Sequence, residues 1–384
     1  MSQLEAFLKR WIEAGLVDAF TAERIRAFEA RQEESQGRLR WPVVIAIAFG
    51  CVMLGAGVFL FVAAHWDDLS PSQRFTVVLV MVALFHLAGA LLSDRFPLLT
   101  VGLHGIGTVA LGAGILLAGQ IFNMAEHWPA GLLLWTVGAL LGWLILRDWV
   151  QVTLLALLAP VWLYGEWQVR AADYYHRGES VAAAGGFLLA VTYFSSVTTS
   201  DHGPARRALR WIGAVCFVPL AVITMFTANQ EVRADWRPRP APPVMPIATW
   251  VLAWVIALGA PLAIAWWLRR RAAIYNACAG IWILGLALIS RIQDPEVNPW
   301  VYLWCLIASA GMIAWGVTEA RRERINMGMA CFFLTILAFY FSNFLDKLGR
   351  SSALISTGLL FLLGGWYLEK ARRRLVARIA EGGR

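Results

Sequence analysis

Ile247-Ala-Thr-Trp-Val-Leu-Ala-Trp-Val-Ile-Ala-Leu-Gly-Ala-Pro-Leu-Ala-Ile-Ala-Trp-Trp-Leu268, stopped by Arg269-Arg-Arg271, decides the fold. These 22 residues hold no charge and match the length of a helix that crosses a bilayer. In hydrocarbon every backbone N–H and C=O must be satisfied within its own segment, so such a run can only be helical. Working outward, similar runs occupy Val43–Ala64, Phe75–Leu92, Leu98–Leu117, Ala130–Leu146, Val150–Tyr164, Val181–Val197 and Leu209–Ala228. Beyond the triple arginine come Ala272–Ile289, Trp300–Thr318, Met327–Phe344 and Ala353–Leu368. The chain of 384 residues is 59% hydrophobic and only 15% charged, which fits an all-α, polytopic transmembrane bundle of about 12 spans. The fifth run is short and contains Pro160, which a membrane helix tolerates if a neighbour satisfies the freed carbonyl.

Lys and Arg set the orientation. With the N-terminus in the cytoplasm, the inner segments hold Arg95, Arg147, Arg206, Arg207, Arg210, the triple Arg269–Arg271, and Arg321, Arg322 and Arg324. They also hold the basic residues before Trp41 and after Leu368, so that 24 of the 33 Lys and Arg lie inside and 9 outside. The expected location is the inner membrane of a bacterial cell, with both termini cytoplasmic. The net charge of +8 is this positive-inside signature, able to meet anionic lipid headgroups, and not a sign of nucleic-acid binding. Trp41, Trp66, Trp128, Trp149, Trp167, Trp211, Trp250 and Trp300 stand at span ends, as an aromatic belt would. The five cysteines all lie within spans and far apart in sequence, which suits apolar packing and neither disulfides nor zinc.

Five segments follow. Residues 1–40 read as a cytoplasmic amphipathic helical hairpin, broken at Gly15 and restarted after a Thr21 cap; residues 3–35 offer a surface for a protein partner. Residues 41–228 read as a first bundle, 229–246 as a Pro-rich outer loop, 247–368 as a second bundle, and 369–384 as a basic tail. Gly50–Leu60 and Gly107–Leu117 share seven of eleven residues, which suggests a duplicated hairpin. The glycine-rich third span, with Gly105 and Gly112, is expected at helix–helix contacts.

Several motifs resemble a known family. They are Trp11-Ile-Glu-Ala-Gly-Leu16, Ala63-Ala-His-Trp66, Ala118-Gly-Gln-Ile-Phe122 and Arg324-Ile-Asn-Met-Gly328, with the arginine-rich end after Gly364-Gly365. The set is similar to the bacterial predicted membrane proteins of domain-of-unknown-function family 2157 and its relatives. His65 stands where that family usually has Asn. The resemblance implies a membrane protein and assigns no chemistry.

Ionisable groups at membrane depth are candidate sites. His86 and His104 fall at similar depth on adjacent antiparallel spans, fitting a proton relay or a structural hydrogen bond. On the expected outer face, His65, Asp67 and Asp68 end the first span, and Gln120, Asn123, Glu126 and His127 end the third, with Glu166 ending the fifth. These groups suit a divalent cation, acid/base chemistry, or plain solvated caps. No cofactor or resident metal is expected, and no nucleotide loop or nucleophile elbow occurs. Three functions stay open: transport-like movement of a small molecule or lipid, a non-catalytic scaffold or accessory subunit, and a membrane enzyme with an outer-face site. An enzyme is the least favoured of them.

Overall fold

The computed structural model describes residues 10–35, 69–121, 127–172, 179–198, 203–230, 244–290 and 298–343, with isolated positions elsewhere. Among these residues every assigned element is helical. The chain divides into two compact units, Met1–Gly114 and Ile115–Arg384.

In the first unit, residues 10–13 form a helical turn closed at Gly15, whose φ is +68°. The Leu16 N–H donates to the Trp11 carbonyl and the Gly15 N–H to Ile12, which is a Schellman stop. Helix α1, Ala19–Ser35, follows. Its start differs from the expected Thr21 cap: the exposed Asp18 carboxylate accepts from Thr21, which holds that carboxyl below its usual range. Helix α2, Pro71–Leu92, opens on a Ser70–Gln73 capping box with proline in its first turn. Helix α3, Pro97–Ile121, begins on proline as well.

In the second unit α4, Pro129–Leu146, ends on Arg147 in the left-handed region, and Asp148 caps α5, Trp149–Ala171. Helix α5 is longer than the run Val150–Tyr164 suggests, because Pro160 does not end it. The carbonyl that this proline strips of its donor is Ala156, and the Tyr193 hydroxyl donates to it at 3.4 Å. Helix α6, Glu179–Phe194, is short and the most enclosed, with ten of its 16 residues buried. Around it stand α7 (Pro204–Gln230), α8 (Ile247–Arg269), α9 (Ile274–Ile289), α10 (Pro299–Thr318) and α11 (Arg322–Asn343). A single 3₁₀ turn, Arg270–Ala273, joins α8 to α9.

Helices α2 to α11 fall on ten of the twelve expected apolar runs. The first and last expected spans, Val43–Ala64 and Ala353–Leu368, lie largely outside the described residues, as does the Gly50–Leu60 half of the sequence echo. Among the described residues, eight segments are long and apolar enough to cross a membrane, with α8 and α9 counted as one segment. Helices on both sides of residues 229–246 share one core, since Phe187, Leu188, Val191 and Phe217 pack with Ile283, Met312 and Trp315. The Pro-rich stretch therefore separates two runs of sequence and not two cores.

Candidate functional site

Helices α2 and α3 are antiparallel and meet through histidines seated on glycines. A Cβ added to Gly89 would lie 2.9 Å from His104 Cε1, and one on Gly107 would lie 2.7 Å from His86 Nε2. The two contacts are related by the same register. Only residues without a side chain leave room for the rings. The imidazoles meet, with Nδ1 to Nδ1 at 3.0 Å and ring centroids 5.3 Å apart. One nitrogen donates and the other accepts, so the neutral pair shares a single hydrogen across that contact. The similar depth expected of the two residues thus becomes direct contact. Gly105 and Gly112 are both buried.

Of the outer-face candidates, His65, Asp67, Asp68, Asn123 and Glu126 lie outside the described residues. Gln120 falls in the last turn of α3. His127 is described, and its Nε2 lies 2.9 Å from Glu166 Oε1. Trp162 Nε1 also donates to that carboxylate, at 3.4 Å, and Arg170 stands 4.0 Å away. The described residues contain no cluster of three His, Cys, Asp or Glu able to hold a metal.

A further polar assembly occupies the end of the second unit where α8, α10 and the starts of α9 and α11 converge. Arg269 Nη2 and Arg324 Nη1 both donate to Glu319, which also accepts from Trp315 Nε1 at 2.7 Å. Both guanidinium carbons lie over the Trp315 ring, at 5.0 Å for Arg269 and 4.3 Å for Arg324. Tyr275 stacks on the same indole at 5.3 Å and 11°. Asn276 accepts from Arg269 at 3.2 Å and donates to Ser195 at 3.1 Å, which ties α9 to α6. That interhelical role for Asn276 accords with its place near the start of a span.

Glu319 is held in place by the backbone. Arg321 N–H donates to Gly316 and Ala320 N–H to Val317, a second Schellman stop with Ala320 at φ +53°. Burial raises the Glu319 carboxyl, but the Trp315 hydrogen bond and the two arginines more than offset it, so the group sits below its usual range. The side chains of Arg269 and Arg324 are 2% and 4% exposed, and Arg269 Nε is buried without a hydrogen-bond partner.

Above Trp315, between α6, α7, α9, α10 and α11, lies an apolar cavity of about 290 Å³. Phe187, Phe217, Met225, Trp282, Cys305 and Met312 line it. Cys278, Ile307 and Gly311 also line it and are themselves exposed on mid-helix flanks, so the cavity opens sideways. Along α10 it runs from Trp315 to Cys305, about 15 Å at the helical rise. The sequence marks Arg269 as a topology charge and Arg324 as that and the start of a family motif, and gives no sign of the cavity. The one available signal was Glu319 a single turn beyond Trp315, within reach of two arginine clusters.

With these features in place, comparison with known proteins adds one match. A family model described as Predicted membrane protein (DUF2157) matches residues 9–152. That segment is similar to the DUF2157 family. Its span takes in α1 to α4 and the His86–His104 pair, while the cavity and the Arg269–Glu319–Arg324 assembly lie beyond the matched segment. No curated protein and no solved structure matches the chain.

Proposed function

We propose that this membrane protein handles lipid, taking one apolar chain from the bilayer into the second unit as the binding step of a transport-like cycle. The observation that carries the reading is the sideways-opening cavity. Its lining is mostly apolar, and the Ser309 and Thr335 hydroxyls donate to carbonyls of their own helices, so a hydrated small solute would lose most of its water there without replacement. An alkyl chain loses nothing and gains contact with Phe187, Met312 and Trp282. The length of about 15 Å is half the hydrocarbon core of about 30 Å, so a chain from one leaflet fits it. On this reading the protein sits in an inner membrane with its arginine-rich turns toward the cytoplasm, which agrees with the positive-inside bias. The exposed Phe20 and Phe28 of α1 then rest on the membrane surface or meet a partner.

The test is photolabelling with a phosphatidylcholine that carries a diazirine mid-chain. Adducts are expected on peptides holding Cys278, Ile307 and Met312. Gly311→Leu should remove most of them, because nothing lies within 4 Å of a Cβ at that position and the longer side chain fills the mouth without straining the fold. Labelling spread evenly over all exposed helix faces, and unchanged by Gly311→Leu, would overturn the reading.

A further inference from the structure

The Arg269–Glu319–Arg324 assembly is built with one charge left over. Two guanidinium groups, each nearly sealed from solvent, share a single carboxylate, and Arg321 adds a third positive charge close by. Glu323, the neighbour of Arg324 in sequence, is engaged with Arg210 at 3.2 Å. Burying an uncompensated charge costs several kcal/mol, so such an arrangement is stable when an anion completes it. The Arg269 Nε, buried and without a partner, supplies a donor that remains to be used. The starts of α9 at Ile274 and α11 at Arg322 lie at the same end, where helix dipoles favour negative charge.

We infer that Arg269 and Arg324 form a binding position for a phosphate-bearing anion, and that its source is the headgroup of an anionic phospholipid. The inference rests on the lipid reading above, because the same Trp315 that carries both guanidiniums also forms the floor of the apolar cavity. Headgroup and chain would then be held on either side of one indole. Guanidinium groups suit this role, since their planar donors match phosphate oxygens and they stay charged when desolvated.

The experiment is a lipid titration of the full-length, delipidated protein by native mass spectrometry, comparing phosphatidylglycerol with phosphatidylcholine of identical chains. The native protein should retain phosphatidylglycerol about tenfold better, the scale of one charge-assisted hydrogen bond. Arg324→Gln leaves Glu319 satisfied by Arg269 and Trp315 while removing the surplus charge, so the preference should fall to parity. Arg324→Lys, which keeps the charge, should retain most of it. Equal retention of the two lipids by the native protein overturns the inference, whatever the variants do. A preference that survives Arg324→Gln overturns it also. Inorganic phosphate, added alone, should not raise the melting temperature; a rise that Arg324→Gln abolishes would assign the position to a free phosphate and overturn the headgroup source. Gly311→Leu separates the two readings. If it leaves phosphatidylcholine retention intact while Arg324→Gln still removes the anionic preference, the cavity reading fails and the anion position stands.

Discussion

Replacing glycine with alanine inside a helix ordinarily stabilises by about 1 kcal/mol, because glycine loses more backbone freedom on folding. Gly213 in α7 should reverse that sign. A Cβ built there lies 2.2 Å from the Phe194 backbone nitrogen, 2.7 Å from the Ala190 carbonyl oxygen and 2.8 Å from Phe194 Cα. All three atoms belong to the backbone of α6, so no side chain can rotate away. Ordinary contacts stand at about 3.5–4.0 Å, and the two helices would have to part by about 1 Å or more. Overpacking costs about 1–3 kcal/mol, and with only backbone atoms to yield the upper part, about 2–3 kcal/mol, applies; less the propensity gain of about 1 kcal/mol, Gly213→Ala should lose about 1–2 kcal/mol. For domains of this size that is a fall of roughly 2–8 °C in melting temperature. Gly311→Ala is the matched control, since nothing lies within 4 Å of its Cβ. It should be neutral or raise the melting temperature by about 2–4 °C. Both variants can be followed in one detergent through tryptophan fluorescence. A rise in both, or an equal fall in both, would refute the claim that the α6–α7 backbones are in closest approach at Gly213.

Ala320 occupies a left-handed backbone position that glycine adopts without cost, so Ala320→Gly should raise stability by up to about 1 kcal/mol, read as the same melting shift. Glu319 gives a pH dependence. Its carboxyl is held below the ordinary value of 4.5, so the stability it contributes is full above that value and is lost as pH falls through the lower folded value. Melting temperature should therefore drop on acidification below about pH 4.5. Glu319→Gln should flatten that acid limb and cost about 3 kcal/mol at neutral pH, because two buried guanidiniums lose their carboxylate.

The apolar helices were legible because each is a self-contained event: an apolar run of sufficient length must satisfy its own backbone, and prolines at positions 71, 97, 129, 204 and 299 mark where helices begin. The meeting of His86 and His104 was legible for a similar reason, since a short turn forces neighbouring spans antiparallel and fixes residues at matched depth. The buried assembly was not. Arginine counts reveal which side of the membrane a turn lies on, yet nothing in Arg269-Arg-Arg271 says that the first side chain turns inward and the next two do not. The cavity escapes sequence reading because five helices build it from residues that are individually ordinary core. Helix α6 read as one more span, although its burial comes from the neighbours that surround it and not from its own composition.

The α9–α10 hairpin has one more property of consequence. Trp282 Nε1 donates to the Trp304 carbonyl and Trp304 Nε1 donates to the Trp282 carbonyl, both at 2.9 Å. Two rigid indoles, each gripping the other's backbone, act as a pin through the pair. Sliding one helix past the other by a turn would break both bonds in the same instant, while tilting about the pin breaks neither. Since Trp282 also lines the cavity, this pin ties the register of α9 and α10 to the cavity wall. Loss of either indole would free one backbone carbonyl and leave the register of the two helices to a single bond.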